Sequence, residues 1–152
     1  MRCHFIPVIR KQSHCLFLLP QTKLENKWQT FNDLALPDEG FYSCALRAAL
    51  EGTYGSLCDE KNMLAKRNNI ILELETLEDK YFCVEMTTQE NYIEYLNNLL
   101  TYKIKNTRFI HPDDFYRCRW FSIDEILSFK NVSPELVSLF SEHSHMFHNG
   151  PH

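Results

Sequence analysis

The sequence predicts an α+β domain, an α/β layered arrangement built on a mixed β-sheet. Two observations carry that expectation. Strand-like and helix-like runs are interleaved, with a hairpin pair rather than strict βαβ alternation. The composition is that of an ordinary globular protein: 152 residues, 44% hydrophobic and 24% charged. That is enough to bury a substantial core in one domain, and it excludes global disorder.

The elements follow in order. Residues 3–9 (Cys-His-Phe-Ile-Pro-Val-Ile) read as a first strand, with Pro7 marking an edge or bulge because it cannot donate to a ladder. Residues 14–19 read as a second, more buried strand. A polar loop leads to Trp28, and residues 29–40 show no clear periodicity. From 41 to 53 the pattern turns helical: Cys44, Ala45, Ala48 and Ala49 fall at helical spacing with Phe41, and Gly52 and Gly55 mark the end. Runs 69–76 and 81–87 predict a hairpin across Glu78-Asp79-Lys80. Residues 90–101 are amphipathic, and 115–121 read as a strand. Ser122 with Glu125 has the capping-box spacing, and Ser133-Pro134 opens a last helix. The expected organisation is one domain over 1–142 and a flexible, polar, histidine-rich tail over 143–152.

Charge and cysteine usage narrow the function classes. The formal net charge is −4, from 16 basic and 20 acidic residues, which provides no footprint for long nucleic acid. A short nucleotide needs only a local site. No apolar run reaches spanning length, and the N-terminal runs are broken by Arg10-Lys11 and Pro20, unlike a secretory leader. The expectation is a soluble, cytoplasmic protein without a membrane partner. The six cysteines form no CxxC pair and mostly lie in apolar patterns, so they read as reduced, buried small hydrophobes.

One constellation carries chemistry. Glu39 is followed by seven residues and then Arg47, which ends the run Cys44-Ala45-Leu46-Arg47. Leu50-Glu51-Gly52-Thr53-Tyr54-Gly55 follows. Upstream stand a strand pair and Trp28; downstream, Arg117 to Ile126 places a Trp-containing strand before a helix. This arrangement resembles the Nudix signature, a loop–helix–loop with a glycine, a glutamate, and after a fixed interval an Arg-Glu run, a Glu-Glu pair and a closing glycine. The resemblance spans roughly residues 3 to 140 and implies a Nudix-like α/β/α sandwich. It also implies a diphosphate-linked substrate and a magnesium or manganese cofactor held by three glutamates on one helix face.

The departures govern the functional reading. Asp33 stands where the signature glycine falls, Ala48 where a glutamate follows the arginine, and Gly52 where the second of the paired glutamates belongs. Glu51 is the one acid left on that face. The resemblance implies that Arg47 pairs with Glu39 to fix the loop on the helix. Glu51 has two open readings, a residual metal ligand and catalytic group or a solvated partner of Arg47, with Asp33 as a further metal ligand. Asp38, Asp59, Glu60 and Glu85 are relocated-ligand candidates whose favoured reading is surface acid. Ligand contacts are assigned to Arg47, Glu39, Trp28 and Arg119. Arg108 and Arg117 are possible phosphate contacts with a surface alternative, and Tyr81, Phe82, Phe115 and Trp120 read first as core. His4 and His14 read as structural, and His143, His145, His148 and His152 as tail rather than a transition-metal site.

Three functions follow. The favoured one binds a nucleotide-like ligand or a protein partner with little or no hydrolysis. The second is an active metal-dependent pyrophosphohydrolase acting on a nucleotide, cap or dinucleoside polyphosphate. The third is a structural subunit with a vestigial cleft.

Overall fold

The computed structural model describes residues 1–12, 14–23, 25–58, 69–106 and 115–148. The candidates Asp59, Glu60, Arg108 and His152 lie outside the described residues. The chain forms the expected α+β class. It divides into two compact units, Met1–Pro7 with Thr30–Thr88, and Val8–Gln29 with Gln89–His152.

Strand β1 (Arg2–Lys11) contributes to both units. Its run from Cys3 to Ile9 is buried throughout, the pattern of a strand covered on both faces. In the first unit Arg2–Phe5 pairs antiparallel with β3 (Phe31–Leu34), in register Arg2↔Leu34 to Phe5↔Phe31. The β3 register ends at Phe5 and the next, with β2, begins at Val8. Pro7 thus sits where the strand changes partner, at a place that tolerates a missing N–H. Strand β3 falls in the segment without periodicity. Four residues reading Phe-Asn-Asp-Leu have little strand preference of their own, and pairing with β1 settles their conformation.

The expected hairpin is β4 (Ile70–Glu75) with β5 (Asp79–Glu85), paired antiparallel from Ile70↔Val84 to Glu75↔Lys80, and β5 neighbours β1. Its tip is held by the Asp79 amide donating to the Thr76 hydroxyl at 3.1 Å. Helix α1 (Phe41–Gly52) packs against β3 and β5 and buries Tyr42, Cys44, Ala45, Leu46, Ala48 and Ala49. It ends at Gly52, with Gly55 in the closing turn, as expected. Gly55 N–H donates to Leu50 C=O at 2.8 Å and Tyr54 N–H to Glu51 C=O at 3.3 Å. This is a Schellman closure in which Tyr54, at φ 52°, takes the left-handed position usually held by glycine.

In the second unit β1 from Val8 pairs with β2 (His14–Thr22), which pairs with β6 (Phe115–Phe121), both antiparallel. Helix α2 (Tyr92–Lys105) packs on β6, where Asn97 completes the backbone of Cys118: its amide donates to the carbonyl at 3.0 Å and its oxygen accepts the N–H at 2.8 Å. Helix α3 (Ile123–Ser128) carries the expected capping box, Ser122 Oγ accepting Glu125 N–H and Glu125 accepting Ser122 N–H. Helix α4 (Pro134–His143) begins with Pro134 as expected, although Ser133 turns its hydroxyl to the Glu135 carboxylate instead of capping.

A helical turn, α5 (His145–His148), buries Phe147 against Phe17 and Phe140 at ring separations of 5.0 and 5.7 Å. One aromatic in a polar segment is a weak sequence signal, and the Phe17 surface that receives it is made by the fold.

Candidate functional site: an arginine-centred carboxylate cluster

The site is built in the first unit. Strand β3 delivers Asp33, a turn delivers Glu39, and α1 delivers Arg47 and, one turn on, Glu51. The turn is stapled twice, Glu39 N–H donating to Leu36 C=O at 3.0 Å and Leu36 N–H to Glu39 Oε1 at 3.1 Å. That holds the Glu39 carboxylate toward the helix.

Arg47 gathers the acids. Its Nε and Nη2 donate to the two Glu39 oxygens at 2.9 and 3.0 Å, a bidentate fork. Nη1 donates to Asp33 Oδ2 at 2.8 Å, and Nη2 also donates to the Leu34 carbonyl at 3.3 Å. Glu51 Oε1 lies 3.7 Å from Nη1. Hydrogen bonds from the guanidinium, then from the Leu36 amide, hold Glu39 at about 2. The same partners, Glu39 first and Asp33 next, raise Arg47 further above its ordinary range. Asp33 has a second task, accepting its neighbour Leu34 N–H at 2.7 Å.

The remaining box positions do not add acids. Ala48 is 7% exposed, so its methyl faces the core. Gly52 closes the helix beside Glu51. Behind the cluster, Cys3 and Cys44 interact through their thiols, and burial pushes Cys44 up to about 12 and Cys3 in the same direction. Buried thiols with raised pKa stay protonated and are poor nucleophiles, and all six cysteines are free thiols, as expected.

The donor set does not fit a hard divalent cation. Magnesium takes oxygen ligands in an octahedral shell. Here a guanidinium already engages Asp33 and Glu39, and α1 adds one acid. Among the described residues no group of three or more His, Cys, Asp or Glu side chains is placed to hold a metal.

Trp28 and Arg119, the other expected ligand contacts, lie in the second unit and meet there around Phe121. Trp28 is buried, edge-on to Phe121 at 5.0 Å, with the Arg117 guanidinium 5.3 Å from its ring. Arg119 lies 4.7 Å from Phe121 and 4.3 Å from Phe129 and donates to Glu125 at 2.6 Å, while its Nη1 is buried without a hydrogen-bond partner. Trp120 is buried and donates to the Glu90 carbonyl at 3.0 Å.

Two features of the first unit were not legible as sites. Buried His4 links Thr30 Oγ1 at 2.6 Å through Nδ1 and Asp79 Oδ1 at 2.8 Å through Nε2, stacked 4.1 Å from Tyr81. A cavity of about 530 Å³ opens between the start of α1, from Gly40 to Tyr42, and the hairpin, from Ile70 to Glu73 with Lys80 and Phe82. These residues are scattered in the chain and carry no shared spacing.

No family model matches the chain, and no curated protein matches it. Solved structures do. A C. elegans Ap4A hydrolase binary complex superposes with a TM-score of 0.59 at 12% identity, over 95% of this chain and 96% of that one. The Nudix hydrolase RenU from M. smegmatis superposes at 0.57 and 9% identity, over 95% and 83%. The chain has the Nudix fold. Shewanella oneidensis NrtR, in a structure with a 27mer DNA, shares the Nudix fold seen here at a TM-score of 0.51 and 10% identity, over 95% of this chain and 60% of NrtR. A Nudix fold common to proteins described as hydrolases and to one bound to DNA does not by itself assign an activity.

Proposed function

We propose that this Nudix-fold chain binds a nucleotide or another diphosphate-linked ligand, or a protein partner, with little or no hydrolysis. The observation that carries this reading is the occupancy of Arg47. It engages Asp33 and Glu39 at hydrogen-bond distance and is the nearest cation to Glu51. Acids neutralised by a fixed guanidinium are weak ligands for a second cation, because the positive charge beside them offsets their attraction for it. The face that bears three carboxylates in the Nudix signature here carries Ala48, Glu51 and Gly52, so little remains to template a nucleophilic water.

The alternative, a metal-dependent pyrophosphohydrolase, draws support from Glu51. Its side chain is 64% exposed and loosely paired, so it retains free lone pairs. The two readings separate on one preparation. Magnesium and manganese are titrated by thermal shift with and without Ap4A, and product release from Ap4A, nucleoside diphosphates linked to sugars, and cap analogues is followed by chromatography. The binding reading expects ligand-dependent stabilisation without turnover. Turnover that disappears in Glu51→Gln would overturn it. A gain of metal-dependent stabilisation in Gly52→Glu, which restores an acid beside Glu51, is the expected complement.

A further inference from the structure

We propose that the exposed side of α2 is a self-association surface, on which a second copy of this chain docks the same helix antiparallel about a two-fold axis. The contact goes beyond ligand binding and uses residues of the second unit alone.

Helix α2 buries Leu96 and Leu100 and packs on β6. That side serves the chain's own core. A second apolar row runs beside it. Tyr92, Tyr95, Leu99 and Tyr102 are spaced three, four and three, the a/d repeat of a helix-pairing seam. Tyr95 and Tyr102 are 60% and 61% exposed, so two aromatic rings stand in water on one side of one helix. The Tyr92 ring lies 6.4 Å from that of Tyr95, and half-buried Leu99 fills the turn between the two exposed rings. Scattered exposed apolar residues are ordinary, whereas a row at heptad spacing is a continuous surface. Tyrosine suits a surface that is wet when free and covered when paired, because it joins an apolar body to a polar tip.

Charge selects the occupant. Glu94 lies in the first turn of α2 and Lys105 in the last, and both are exposed. They are separated by about three helical turns, so they share one flank of the seam. A parallel partner would set acid near acid and base near base. An antiparallel partner sets Glu94 opposite the partner's Lys105 at both ends, and Tyr95 opposite the partner's Tyr102, with Leu99 beside the axis. The two helix dipoles are then opposed as well. A surface complementary to itself under a two-fold rotation is what an isologous dimer requires. One 14-residue helix offers a short seam, so the association is weak and concentration-dependent.

Sedimentation equilibrium of the full chain is measured from about 10 μM to about 1 mM, the range over which small interfaces assemble. A monomer–dimer equilibrium is expected. Glu94→Lys sets lysine opposite lysine at both ends and is expected to weaken the dimer about tenfold, two exposed ion pairs turned repulsive by one substitution. Adding Lys105→Glu to that variant reverses both charges and is expected to restore wild-type association, a rescue that a parallel pair or a contact elsewhere on the chain would not give. Tyr102→Ser is expected to abolish the dimer over the whole range. All three positions are exposed, and circular dichroism confirms folding. A wild type that stays monomeric throughout, a dimer unchanged in folded Tyr102→Ser, or a double charge variant that associates no better than Glu94→Lys would overturn the surface.

Discussion

Replacing Asp33 and Glu51 separately, each against Arg47, asks how the arginine divides its charge. Asp33 donates nothing and accepts Nη1 at 2.8 Å, with its side chain 45% exposed; Glu51 stands at 3.7 Å. A hydrogen-bonded pair at partial exposure contributes about 0.5–1 kcal/mol, and an exposed i,i+4 pair without a hydrogen bond about 0–0.3 kcal/mol. Double-mutant cycles with Asp33→Ala, Glu51→Ala and Arg47→Met therefore predict a larger coupling for Asp33 than for Glu51. The assay is urea unfolding followed by circular dichroism, read as the change in stability at constant m. In a chain of this length about 1 kcal/mol also moves Tm by about 2–4 °C. Raising salt to about 0.5 M should shrink both couplings, the Glu51 term to nothing. A Glu51 coupling equal to or greater than that of Asp33 would refute the reasoning. It would mean that the acid on the helix, not the acid replacing the loop glycine, is the one Arg47 holds.

Other outcomes follow from the same geometry. Glu39 titrates at about 2 in the fold, below its ordinary value of 4.5. A depressed carboxyl contributes stability that is present above the unfolded pKa and lost as pH falls through the folded one. Glu39→Gln should therefore flatten the acid limb between about pH 4.5 and pH 2 in denaturant midpoints measured against pH. Ser122→Ala removes the hydroxyl that accepts Glu125 N–H and should cost about 1 kcal/mol by urea titration. Phe147→Ala removes a buried ring packed on Phe17 and Phe140 and should cost about 3 kcal/mol. A change under about 0.5 kcal/mol, the range of ordinary surface substitutions, would show that α5 does not stay docked.

Much of the local structure was legible. The capping box at Ser122 and Glu125, Pro134 at a helix start, the α1 apolar face and the Glu39–Arg47 pair all obey rules that act within a turn or across one loop. Strand β3 was not legible, because Asn32 and Asp33 argue locally against a strand and their partners on β1 lie 28 and 30 residues away along the chain. The helix stop at Gly52 and Gly55 was legible, whereas the left-handed conformation of Tyr54 between them was not. Phe147 looked like part of a tail because nothing near it in sequence reveals the Phe17–Phe140 surface that receives it.

The candidate site divides along the same line. The resemblance to the Nudix signature named Glu39, Arg47 and Glu51, and a helix with its preceding loop brings those positions together. The β3–β1 register and the packing of α1 decided that Asp33 joins them and that Ala48 faces the core. The His4–Thr30–Asp79 bridge and the cavity beside Phe41 likewise depend on strand order, which no local preference encodes. Sequence determined the chain's class and its helix faces, and its resemblance to a known signature pointed to the Glu39–Arg47 ion pair. Tertiary structure decided which further charges that pair meets, because register and layer packing bring together groups that are dozens of residues apart.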